Sequence, residues 1–154
     1  MDKQSVLRAY CFSLDRKIGE AKDSFQAARE GVSEGSATSD SRFATVGFQE
    51  GQIAVEASAR LSSLRRARQD ADFLPSGRLN RPIIGALVTV ENNQDKTRAY
   101  YLIVPGAGGE SFTVDGQEVL AVSISAPILG PISKIRVGDT FEFRGRSLTF
   151  SEIS

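Results

Sequence analysis

Apolar residues in the first stretch of the chain fall at Leu7, Cys11, Leu14, Ile18, Ala21, Phe25, Ala28 and Val32. Their steps alternate between four and three, the spacing that keeps one seam of an α-helix against a partner helix. A second set, Phe43, Val46, Ile53, Ala57, Leu61, Leu64, Ala67 and Ala71, keeps helical spacing as well, and no proline interrupts residues 1–73. Between the two sets, Ser33 to Asp40 is rich in small, turn-forming residues, with Ser39 or Asp40 suited to cap the second helix. The pattern predicts an antiparallel two-helix coiled-coil hairpin over 1–74, with its tip between Ser33 and Asp40.

Facing residues in such a hairpin have constant summed numbers. Leu14 with Leu61, Ile18 with Ala57 and Cys11 with Leu64 each give 75, while Leu7 with Ala67, Ala21 with Ile53 and Ala28 with Val46 give 74. This register places the fold point near Ala37. At ~1.5 Å per residue, arms of about 30 residues would run ~45 Å. Gly47 and Gly51 cost up to ~1 kcal/mol each against alanine, unless they permit close helix approach. In this register Phe25 faces Glu50, a mismatch that the pattern does not explain.

Leu74-Pro75-Ser76-Gly77 ends the helical pattern, and residues 75–82 read as a linker. From 83 to 154 the period changes to two, and Val, Ile, Tyr and Phe become common. Strands are predicted at Ala86–Glu91, Arg98–Val104, Val119–Ile124, Thr140–Phe143 and Arg146–Ile153, with hairpin turns at Asp115-Gly116 and Arg144-Gly145. A short helix is predicted at Ala126–Ser133. The fold class is therefore α+β, a helical hairpin followed by a small antiparallel β-sheet domain with a short helix.

Composition narrows the chemistry. The 154 residues include 19 Lys and Arg against 19 Asp and Glu, so bulk charge gives no attraction to nucleic acid or membrane. A single cysteine, Cys11, excludes an internal disulfide and fits a reducing, cytoplasmic compartment. The absence of histidine excludes His-based triads and His-ligated metals, so a bound metal would be a hard ion held by oxygen. No apolar run approaches the ~20 residues of a membrane span, and neither a membrane nor a small-molecule substrate is expected.

The neutral total hides an uneven distribution. Residues 18–57 carry seven acids and three bases, a net −4, whereas 1–17 with 58–73 carry eight bases and four acids, a net +4. The hairpin is expected to be acidic towards its tip and basic towards its base.

The stretch from Ser123 to Asp139, above all Pro127, Ile128, Ile132, Val137, Gly138 and Asp139, resembles the C-terminal domain of the Gre transcript-cleavage factors. That family carries there a serine-proline-isoleucine turn, a short apolar helix and a glycine-aspartate turn. Ala86–Asn92 and Tyr100–Val104 resemble the first two strands of the same domain, and a preceding helical hairpin follows the Gre order. Ala126, Gly130, Pro131 and Lys134 depart from the pattern, and the family's acidic glycine-aspartate-leucine-x-glutamate-asparagine loop is missing from Glu30–Asp40.

The resemblance implies an FKBP-like second domain and a bacterial transcription factor that binds RNA polymerase and inserts its hairpin tip into the secondary channel. There it would modulate elongation or stimulate cleavage of backtracked RNA, close to nascent RNA and DNA. It also implies no enzyme in its own right, because the factor would complete the polymerase active site. Glu34 and Asp40, with Glu30 behind them, are the candidate tip acids, and Glu34 and Asp40 would hold Mg2+ only within that complex. No cofactor is expected in isolation, since two carboxylates at ~6 Å in water-like surroundings repel by under ~1 kcal/mol and build no strong site alone. Pro127, Ile128, Leu129 and Ile132 are the candidate polymerase contacts.

The same acids have a plain structural use, capping a helix or solvating its face. A Gre-like regulator without cleavage activity is the alternative that the altered tip favours. A peptidyl-prolyl isomerase would need an aromatic-lined pocket, and the sheet domain has no tryptophan and few aromatics.

Overall fold

The computed structural model describes residues 1–35, 43–106 and 108–154, with side chains described outside 31–50. Two helices come first, α1 (Lys3–Gly35) and α2 (Phe43–Ala71). Six strands follow, β1 (Leu87–Asn92), β2 (Arg98–Val104), β3 (Ser111–Val114), β4 (Gln117–Ser123), β5 (Thr140–Phe143) and β6 (Arg146–Ile153), with the one-turn helix α3 (Leu129–Ile132) between β4 and β5. The helical hairpin followed by a small sheet with a short helix is as the hydrophobic pattern predicts.

The chain divides into two compact units. Phe12–Gln69 forms one, while Met1–Cys11 joins Asp70–Ser154 in the other. The first turns of α1 thus group with the sheet. Asp2 starts α1, its carboxylate accepting from the Ser5 amide and hydroxyl at 2.8 Å each. Those bonds hold its carboxyl below the usual range. Lys3 is buried and donates to the Gly77 carbonyl at 2.6 Å, and burial lowers its ammonium pKa.

Packing on the sheet also moves the apolar seam at this end. Val6 and Tyr10 are buried, whereas the predicted Leu7 and Cys11 are only half-buried. A helix start that packs on a sheet need not keep the seam that fits a second helix.

Within Phe12–Gln69 the two helices are antiparallel and joined by the Asp15–Arg68 ion pair, at 2.9 Å. Those numbers total 83, so the register is not the predicted 74 or 75. A heptad seam looks identical after sliding by seven residues. A register near 81 or 82 satisfies the same pattern, and tertiary packing selects between the two. Leu14, Ala21, Leu61 and Leu64 are buried as expected, but Ile53 is 56% exposed. A methyl group on Gly51 would meet nothing within 4 Å, so that glycine does not serve close approach.

The sheet order is β3-β4-β2-β1-β6-β5. Four strand pairs are antiparallel, but β2 and β4 run parallel, so the sheet is mixed rather than wholly antiparallel. The reason is β3, an edge strand that the hydrophobic pattern does not predict. It forms a hairpin with β4 and thereby turns β4 parallel to β2. Both predicted hairpin turns form with positive φ at each central residue, 51° and 76° at Asp115 and Gly116, 50° and 74° at Arg144 and Gly145. That is the mirror-image turn whose twist matches paired strands.

Alternation sorts each strand between two faces. Val88, Val90, Ile103, Val122, Phe150 and Ile153 pack with Ile128, Leu129 and Ile132 in one core. On the other face, Phe112 of β3 meets Tyr10 of α1.

Candidate functional site

The predicted site has two parts, the acids near the hairpin tip and the apolar segment around α3. Glu30 is an exposed residue of α1 and accepts a hydrogen bond from Gln26 Nε2, one turn earlier, at 3.1 Å. Glu34 belongs to the last turn of α1, with its side chain outside the described set. Asp40, with most of the predicted tip, lies outside the described residues. Among the described residues, no group of three Asp, Glu or Cys is placed to hold a metal ion.

Beside Glu30 the helix pair forms a groove of about 680 Å3, lined chiefly by Lys22, Phe25 and Arg29 of α1 and Leu61 and Arg65 of α2. Phe25 lines this groove together with Leu61, while the side chain of Glu50 lies outside the described set. Arg29 lies over the Phe25 ring, with its guanidinium carbon 5.8 Å from the ring centre. The groove brings Arg65, from outside the acidic segment 18–57, beside Lys22 and Arg29 within it. Helix periodicity alone cannot show this, since it depends on which turns face each other.

The second part is mostly interior. Ile128, Leu129 and Ile132 are 5%, 4% and 0% exposed and belong to the core of their own domain. Their spacing is that of a short helix burying one face. Of the four candidate contacts, only Pro127 is exposed, next to exposed Gly130 and half-buried Pro131. The turn after α3 is fixed by its own bonds. Gly138 has φ +98°, its amide reaches the Phe150 carbonyl at 2.7 Å, and the Asp139 carboxylate accepts from the Arg136 amide at 2.8 Å. Gly138 and Asp139 thus build the entrance to β5.

Towards the other end of the helix pair, the basic residues are partly neutralised. Arg68 is paired with Asp15, and Arg16 stands 3.9 Å from Glu20. Among the described residues, no helix is long and apolar enough to cross a membrane.

No protein-family model matches the chain, and no curated protein sequence does. Several solved structures are similar to it. One is a structure of the transcription factor Gfh1, 19% identical, covering 94% of this chain and 93% of that one at a TM-score of 0.41. Another is GreA factor homolog 1 (Gfh1) of Thermus thermophilus, also 19% identical, covering 94% of both chains at a TM-score of 0.38. The second is by its name a homologue of a Gre factor.

Proposed function

We propose that this protein is a Gre-like transcription factor that binds bacterial RNA polymerase and places the end of its α1–α2 hairpin in the secondary channel. The observation that carries the reading is the joint presence of two features in one chain. A long antiparallel helix pair bears Glu30 and Glu34 near the far end of α1, and a six-stranded sheet carries the Pro127 turn and α3. In this reading the sheet domain anchors the factor, with exposed Pro127 as the contact and buried Ile128, Leu129 and Ile132 holding its turn in place. The factor acts in the cytoplasm and is not an enzyme alone. Glu34 and Asp40 would help hold a Mg2+ ion only where polymerase aspartates and RNA phosphate complete the shell.

The small-residue tip from Ser33 to Asp40 favours a second form of the reading, a channel-occupying regulator without cleavage activity. Transcript cleavage in backtracked complexes decides between the two. Wild type is compared with Glu34→Ala and Asp40→Ala at equal polymerase occupancy. Cleavage that is lost in the variants while binding persists establishes a cleavage factor. Altered elongation without cleavage by wild type establishes the regulator. Failure of the full-length protein to bind polymerase from its native host overturns both.

A further inference from the structure

A second pocket lies wholly within the sheet-containing unit, and the transcription reading makes no use of it. It has a volume of about 380 Å3 and is lined by residues of β1, β2, β5 and β6 and the turn between the last two. Its floor is apolar. Val90 belongs to the core, and Tyr101, Phe143 and Leu148 pack against that core. Its rim carries Arg98, Arg144 and Arg146, and no acid lines it.

The three arginines differ in what already occupies them. Arg98 is tied to Glu91 at 3.2 Å, and Lys96 shares the same carboxylate at 3.7 Å. Arg144 and Arg146 form no ion pair among the described residues. They flank Gly145 at the tight β5–β6 turn, and both line the pocket. Asp95, the acid on which Arg146 exerts some pull, has its carboxylate engaged by the Thr97 hydroxyl at 2.6 Å and the Thr97 amide at 3.0 Å. Burial raises the Tyr101 phenol pKa, and the charge of Arg144 works against that rise, so the cation acts on this side of the sheet.

We propose that this pocket docks an acidic segment of a partner protein, with a carboxylate held by Arg144 and Arg146 and an adjoining apolar side chain set against Tyr101 and Leu148. Charge complementarity names the occupant. Guanidinium groups pair with carboxylates through two parallel hydrogen bonds, and an apolar floor beside them selects a segment that alternates acidic and apolar residues. A nucleic-acid strand fits less well. It gains much of its hold by stacking bases on open aromatic faces. Here the Arg144 guanidinium already lies over the Phe143 ring, 5.3 Å from its centre, so the pocket offers a base no pair of open rings. This inference does not depend on binding to RNA polymerase.

The test uses the full-length protein and a fluorescein-labelled ten-residue peptide alternating glutamate with leucine or phenylalanine, read by anisotropy. Saturable binding is expected, weakened at least about tenfold by Arg144→Glu or by Arg146→Glu, as for loss of a hydrogen bond to a charged group. Arg136→Glu, outside the pocket, is expected to leave binding unchanged, and circular dichroism checks that each variant is folded. Binding that does not saturate, or that survives both reversals together, overturns the proposal. So does equal affinity for an all-glutamate peptide, which would make the apolar floor irrelevant. Displacement of the peptide by a ten-nucleotide oligouridine at equal or lower concentration overturns it in favour of a phosphate-binding site.

Discussion

The ring of Tyr10, near the start of α1, lies against that of Phe112 in edge strand β3, with centroids 5.5 Å apart and planes tilted by 40°. Both side chains are buried, at 3% and 7% exposure. The contact joins the first residues of the chain to the sheet, and it explains why the buried seam there runs through Val6 and Tyr10. Tyr10→Ala should cost about 3 kcal/mol by loss of buried area and of the ring pair, measured by urea unfolding, whereas Tyr10→Phe should cost far less.

The same residue predicts an alkaline limit to stability. Burial pushes the Tyr10 phenol up to about 12 from an ordinary 10.0, with Cys11 and Asp70 adding to the rise. A folded-state value above the unfolded one gives stabilisation that is complete below pH 10 and is lost as pH climbs through 12. Unfolding midpoints should therefore fall across that window. The fall should be shallower in Tyr10→Phe, though not abolished, because Tyr101 is raised by burial as well.

Two glycines should respond to alanine in opposite directions. Gly85 has φ +88°, and a methyl group there would lie 2.4 Å from Pro75 Cδ. Gly85→Ala should lower stability by more than about 1 kcal/mol, from strain and overlap combined. Gly51 sits inside α2 facing open space. Gly51→Ala should raise the thermal midpoint by a stabilisation of up to about 1 kcal/mol.

The helix register is open to a double-mutant cycle. Asp15 and Arg68 should show a coupling of about 0.2–1 kcal/mol, the size usual for an exposed pair, fading with salt. Asp15 with Arg60, the facing residue in a register totalling 75, should show none. Coupling to Arg60 in place of Arg68 would restore the register expected from the seam alone.

Ile132 and Pro127 separate packing from contact. Ile132 is fully buried, and Ile132→Ala should destabilise the sheet domain by about 2–5 kcal/mol. Pro127 is exposed, so Pro127→Ser should leave the unfolding midpoint nearly unchanged. Under the proposed function it should weaken retention on RNA polymerase. A Pro127 variant that unfolds easily yet binds normally would contradict this division of roles.

What the sequence determined by itself is what depends on near neighbours. The change of period near residue 83 separates helices from strands, because side-chain direction repeats every 3.6 residues in one and every two in the other. Asp115-Gly116 and Arg144-Gly145 announce their turns, because a tight hairpin needs left-handed backbone at both central positions. Strands β2, β5 and β6 were legible to the residue for the same reason. Tertiary structure decided whatever rests on a distant partner. A repeating seam fits equally well after a slide of seven residues, so the Asp15–Arg68 register could not be read from periodicity. The apolar Ile128, Leu129 and Ile132 look alike whether they face a partner or a core, and only the sheet beneath them settles that they are core. Arg98, Arg144 and Arg146 lie up to 48 positions apart in the chain, and they line one pocket only because β2, β1, β6 and β5 are neighbours in the sheet. Local backbone preference carries no information about such neighbours, which are fixed by the packing of the whole fold.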